Sequence, residues 1–241
     1  MFYRLIAVFL FLLWGTFSAT AGVLFSDHFE GNTLDASKWE VKLWDCGDIR
    51  VTVANSKVTS EKVSGCRDGI LTRMAFSADP AYILTRGVEA NTQLEHAFHF
   101  NGVDNWESMV EYVYDGPGTS SYWLIGPGQD PITRLDTAPK TQFTNEGAVL
   151  AIRNGKHYQF YVGEKDAADL SDFTLDFEQN IDLFEGDFQV FLYACAGAGN
   201  FWSLDVITVA DDLSSALTGS GPTSVEKGNK LAITWATIKS R

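Results

Sequence analysis

Along most of the chain apolar residues alternate with polar ones in short runs, and Gly, Pro, Asn and Asp separate the runs. That is the period-two pattern of half-buried strands. The most regular run covers residues 106–114. Trp106, Ser108, Val110, Tyr112 and Tyr114 fall on one face, while Glu107, Met109, Glu111 and Val113 fall on the other. In residues 38–45, Trp39, Val41 and Leu43 oppose Glu40, Lys42 and Trp44. Further strands are predicted over 23–29, 49–53, 69–76, 82–85, 93–100, 121–125, 148–153, 157–162, 173–177, 188–195 and 201–209. Asn154-Gly155 predicts a type I′ hairpin turn, because both residues tolerate positive φ. Helical periodicity is nearly absent, with room for one short turn over 165–170. Many short strands at this spacing predict an all-β, two-sheet antiparallel sandwich.

The first residues break the pattern. Arg4 precedes an apolar run over 5–13, and Ala19-Thr20-Ala21 has the small-x-small form of a processing site. Residues 1–21 therefore read as a signal peptide, with the mature chain beginning at Gly22 and the protein secreted, extracellular or periplasmic. The apolar run falls short of the roughly 20 residues a membrane span needs. At the other end, residues 22–210 form the predicted sandwich. Residues 211–226 are rich in Ser, Gly, Thr and Asp and read as a linker, and residues 227–241 as a short tail.

Charge narrows the partners. The chain carries −13, and removing Arg4 with the leader leaves −14. Nucleic acid and anionic membrane both require positive fields, so neither is an expected partner. Of the three cysteines, Cys46 and Cys66 flank a polar segment and are candidates to pair in an oxidising compartment, while Cys195 lies in an apolar run as a buried thiol. No Cys/His pair has zinc-ligand spacing, and no nucleophile elbow, phosphate loop or dinucleotide fingerprint is present. His96 and His99, three apart in one strand, point to opposite faces.

Three segments carry a resemblance. Residues 25–31 with Leu34-Asp35 and Trp39 form an acidic-aromatic strand, a glycine turn and a tryptophan. Residues 201–209 place an aromatic before apolar-Asp-apolar-x-apolar, and Arg153-Asn154-Gly155 leads into an apolar strand. In this order they resemble the opening, closing and mid-domain segments of the concanavalin A-like lectin/glucanase superfamily. The resemblance implies a jelly roll whose first and last strands pair. It also implies one structural calcium ion, held by Asp205 with groups near Glu30 and Gly31.

The glucanase branch of that superfamily places Glu, Asp and Glu at alternate positions of one strand. Here the nearest match is Glu107-Ser108-Met109-Val110-Glu111, with methionine where the assisting aspartate belongs. Strand positions four apart lie about 13 Å apart along the backbone, whereas a retaining pair needs its carboxyl groups about 5–5.5 Å apart. The two side chains must lean together and be held, and a methionine can neither hold the nucleophile by hydrogen bonding nor tune its pKa. Catalysis by Glu107 and Glu111 is therefore the weaker expectation, and a glutamate pair on a solvated strand face accounts for them. The stronger expectation is a non-catalytic module binding a glycan or polysaccharide by ring stacking. Trp44, Trp106, Tyr112, Tyr114, Tyr122 and Trp123 are the candidate platforms. A structural or protein-binding extracellular domain is the third reading.

Overall fold

The computed structural model describes residues 22–43, 48–64, 68–91, 94–100, 109–114, 120–125, 133–136, 146–182, 186–194 and 198–219. For residues 64, 114, 120–125 and 133–136 the description is of backbone alone. The signal-peptide and tail expectations, Trp44, Trp106, Glu107 and all three cysteines lie outside the described residues.

Among the described residues sixteen strands form the body: β1 (Val23–Asp27), β2 (Trp39–Leu43), β3 (Asp48–Ala54), β4 (Lys57–Ser64), β5 (Asp68–Thr72), β6 (Ala81–Ala90), β7 (Leu94–Phe100) and β8 (Met109–Tyr114), followed by β9 (Ser120–Ile125), β10 (Thr133–Asp136), β11 (Gly147–Asn154), β12 (His157–Glu164), β13 (Phe173–Asn180), β14 (Phe188–Ala194), β15 (Phe201–Leu204) and β16 (Val206–Ala210). They make two antiparallel sheets. The larger, of nine strands, runs β13-β12-β11-β6-β15-β4-β3, with β16 also on β6 and β1 on β16. The smaller, of seven, runs β10-β9-β8-β7-β14-β5-β2.

The first and last strands meet as expected, with Asp27 opposite Ile207 and Val23 opposite Ala210. The opening motif has a physical basis. The Asp27 carboxylate accepts the Trp39 indole N–H at 2.7 Å and the Phe29 amide at 3.0 Å. Phe29, at φ 48°, stacks on the Trp39 ring at 5.9 Å. Acid, aromatic and tryptophan thus form one buried anchor under the sandwich edge. Between the sheets lies the principal core, which includes Trp39, Phe98, Val110, Tyr112, Phe160, Phe188, Leu192 and Trp202.

Two turns differ from their sequence-based expectations. The β11–β12 turn is Gly155-Lys156, since Asn154 pairs with His157 and only Gly155, at φ 58°, is left-handed. The type I′ geometry occurs instead at Asn55 and Ser56, at φ 56° and 55°, between β3 and β4.

Residues 201–209, expected as one strand, break at Asp205. On the neighbouring strand Gly87 (φ 67°) bulges out of the ladder, and a Cβ there would lie 2.4 Å from the Asp205 carboxyl carbon. Beyond β16 the expected linker carries a helix, α1 (Leu213–Thr218). The Asp212 carboxylate caps its N-terminus through Ser215 N at 2.9 Å, and Gly219 closes it at φ 62°. Leu213 and Leu217 pack on the outer face of the larger sheet beside Leu84, Leu150 and Phe173. Burial of that i, i+4 leucine pair outweighs the weak helix propensity of serine and threonine.

Candidate functional site on the outer face of the smaller sheet

The two faces of β8 separate as the alternation predicts. Val110 and Tyr112 belong to the inter-sheet core, whereas Met109 packs with Leu71, Ala97, Phe191 and Tyr193 on the outer face of the smaller sheet. Glu111 follows Met109 by two positions and therefore shares that outer face.

Ladder register places the neighbours. Glu111 stands opposite Ala97, which stands opposite Phe191 and then Leu71. One row along, Val113 stands opposite Glu95, then Tyr193, then Gly69. In the row on the other side Met109 stands opposite His99 and then Gln189. Ala97 is small enough to let the Tyr193 side chain reach across β7. Its hydroxyl donates to Glu111 Oε2 in a short hydrogen bond and also interacts with Glu95. Gly69 leaves the space behind: a Cβ there would lie 2.5 Å from Tyr193 Cβ. The Tyr193 ring is fixed by parallel stacking on Phe191, with centroids 4.4 Å apart and 12° between planes.

The electrostatics keep this phenol neutral. Burial first, and then the adjacent Glu111 and Glu95, push Tyr193 well above the ordinary tyrosine range. It is therefore a hydrogen-bond donor across the whole working pH range. Glu95, Glu111 and Met109 are all buried, so these carboxylates sit in an apolar layer.

The expected site residues divide accordingly. Tyr112 is a correction: its ring is fully buried and stacks on Phe160 at 6.1 Å, so it is core and no sugar platform. Tyr122 stands opposite Tyr112 in the ladder, and Trp123 stands opposite Glu111. Tyr114 ends β8 opposite Ser120. Glu95 and Tyr193 went unrecognised in the sequence, which carries no local signal for a contact between strands 82 residues apart.

Asp205 is the residue expected to hold a calcium ion. Asp205 Oδ2 pairs with Lys165 and Oδ1 lies 3.6 Å from Lys57, so the chain's own ammonium groups meet this carboxylate. Glu146 joins them, at 2.5 Å from Lys57 and 2.6 Å from Lys165. These bonds hold Glu146 below, and Lys165 above, their ordinary ranges. Glu30 and Gly31 are exposed. Among the described residues no three His, Cys, Asp or Glu side chains are grouped to hold a metal ion.

No protein-family model matches the chain, and comparison with curated proteins gives no match. Solved structures do match. The catalytic domain of an endo-1,3-β-glucanase (laminarinase) from Thermotoga petrophila superposes with a TM-score of 0.56 at 12% identity, over 80% of this chain and 98% of that one. The fold is the concanavalin A-like glucanase jelly roll. LamA of Zobellia galactanivorans, solved in complex with laminaritriose and laminaritetraose, matches at TM-score 0.54 and 11% identity, over 78% of this chain and 98% of that one. An immunostimulatory antigen and pseudo β-1,3-glucanase of Mycobacterium tuberculosis matches at TM-score 0.51 and 14% identity, over 80% of this chain and all of that one. At such identities the likeness is one of fold, and within the glucanase jelly roll the chemistry must be argued from the site. Here the middle of the glutamate strand is the buried thioether of Met109.

Proposed function

We propose that this chain is an exported glycan-binding jelly roll that does not hydrolyse its ligand. One observation carries the non-hydrolytic part. Met109 is fully buried among Ala97, Phe191 and Tyr193, at the position where the glucanase pattern needs a carboxylate. A thioether can neither accept the hydrogen bond that orients a nucleophile nor share a proton with it. The Glu111 carboxylate is in turn committed to Tyr193. The binding part is supported by the fold and by LamA, a protein of this fold solved in complex with laminaritriose and laminaritetraose.

The ligand surface lies toward the β10 edge of the smaller sheet. There Trp123 stands between Glu111 on β8 and Arg134 on β10 in one ladder row. Aromatic and basic residue types at neighbouring ladder positions are the kinds that suit a sugar ring and its hydroxyls. On a glycan array the protein is expected to retain neutral β-glucans, and Trp123→Ala to weaken that binding about tenfold, equivalent to about 1.4 kcal/mol. Failure to bind any neutral or acidic polysaccharide removes this reading in favour of a protein-binding domain.

A further inference from the structure

The start of β1 holds a polar contact that neither the sandwich nor the outer-face site requires. Gly22 is buried, and its backbone nitrogen donates to Asp211 Oδ1 at 2.5 Å. The Asp211 amide returns a bond to the Gly22 carbonyl at 3.2 Å, and Val23 pairs with Ala210 beside it. Two residues at opposite ends of the domain, 189 positions apart, are thus closed by reciprocal bonds. Of the neighbouring carboxylates, Asp212 accepts from Ser215 N at 2.9 Å through Oδ1, and Asp79, across a shared cavity of about 390 Å³, accepts from Gly155 N at 2.6 Å. Among the described residues Asp211 has no lysine or arginine partner.

The residue whose nitrogen faces this carboxylate is also the one that follows Ala19-Thr20-Ala21. We propose that the Ala21–Gly22 bond is a processing site and that Asp211 captures the α-ammonium group this cleavage creates. In the reaction a processing peptidase adds water across the peptide bond. The C–N bond breaks, Ala21 leaves as a carboxylate, and Gly22 keeps the nitrogen as an amine that takes up a proton. Before cleavage Gly22 offers Asp211 one neutral N–H. Afterwards it offers up to three donors and a full positive charge, and charge-assisted hydrogen bonds are roughly twice as strong as neutral ones. An α-amine titrates near 7.7–8.0 when unperturbed, so it is largely charged at neutral pH even before Asp211 favours that form. Removal of the leader therefore tightens the seam between the first strand and the last, and the processed chain is more stable than its precursor. This inference depends on the leader reading of residues 1–21 and is independent of glycan binding.

The test has two arms. Full-length protein is expressed in an exporting host, and the intact mass of the released product is measured; it is expected to correspond to Gly22–Arg241. A product starting elsewhere overturns the proposal. In the second arm, melting is compared between the chain starting at Gly22 and the chain starting at Ala21, each with and without Asp211→Asn. The Gly22 form is expected to melt about 2–4 °C higher, the shift typical of one such contact in a domain of this size. Asp211→Asn is expected to erase the difference while leaving a cooperative transition. Equal melting of the two starting forms, or a difference that survives Asp211→Asn, overturns the capture.

Discussion

Replacing Lys62 with methionine is expected to cost about 3–5 kcal/mol of folding stability. Lys62 belongs to β4 of the larger sheet and Asp68 to β5 of the smaller one. Their side chains meet at 3.2 Å with 1% and 0% exposure. The ammonium also donates to the Ala194 carbonyl at the end of β14, at 3.0 Å. The pair therefore ties the sheets together at one end of the sandwich. Taking both charges out of water is expensive, and their mutual attraction roughly offsets that cost. Removing one partner leaves the other charge buried without that compensation. The double variant Lys62→Met/Asp68→Leu removes both charges together and is expected to recover most of the loss. Chemical denaturation of the single and double variants measures this directly. A single variant as stable as the parent contradicts the account of this pair.

The second large effect is a pH dependence. His96 lies on the core side of β7, opposite Tyr112 and Leu192, and is 2% exposed. Neither ring nitrogen has a hydrogen-bond partner among the described residues. Burial lowers its pKa from 6.5 to about 4. Above pH 6.5 the ring is neutral in both folded and unfolded chains and has no effect on stability. As pH falls below 6.5 the unfolded chain takes up a proton that the folded chain refuses, so stability falls until the folded pKa near 4 is reached. That difference corresponds to about 3 kcal/mol. Glu146, whose carboxyl is held below its ordinary 4.5 first by Lys165 and then by Lys57, acts in a lower window. Its contribution is present above 4.5 and is lost only as pH drops through its folded value. Denaturation midpoints measured between pH 7 and pH 4 are therefore expected to fall, and His96→Leu to flatten that slope. An unchanged slope in His96→Leu assigns the acid sensitivity elsewhere.

Where local pattern and tertiary structure agreed, the sequence was informative. The alternation over residues 109–113 sorted Val110 and Tyr112 inward and Met109 and Glu111 outward, because a buried sheet face fixes register. Pairing of the first and last strands followed from a motif whose parts touch, Asp27 with Trp39. Strand β4 was not legible. Its sequence, KVTSEKVS, buries Ser60 and Lys62, so polar residues occupy positions where an amphipathic strand would show apolar ones. Its turn, Asn55-Ser56, has left-handed geometry without the glycine that usually announces it. Strand β10, TRLD, is too short and too charged to stand out. Helix α1 was hidden by its composition, although Leu213 and Leu217 carry the i, i+4 signal. The Tyr193–Glu111 contact depends on Ala97 and Gly69 being small on two other strands, and no window along the chain contains all four.

The central claim is a glucanase jelly roll that binds a glycan and leaves it intact. Its most direct test is to incubate the protein with laminarin, measuring retention of the polysaccharide and release of reducing ends in the same samples. Retention with reducing ends no higher than in a protein-free control is the expected result. Release of reducing ends that Glu111→Gln abolishes contradicts the claim, because Glu111 would then be catalytic despite the methionine beside it.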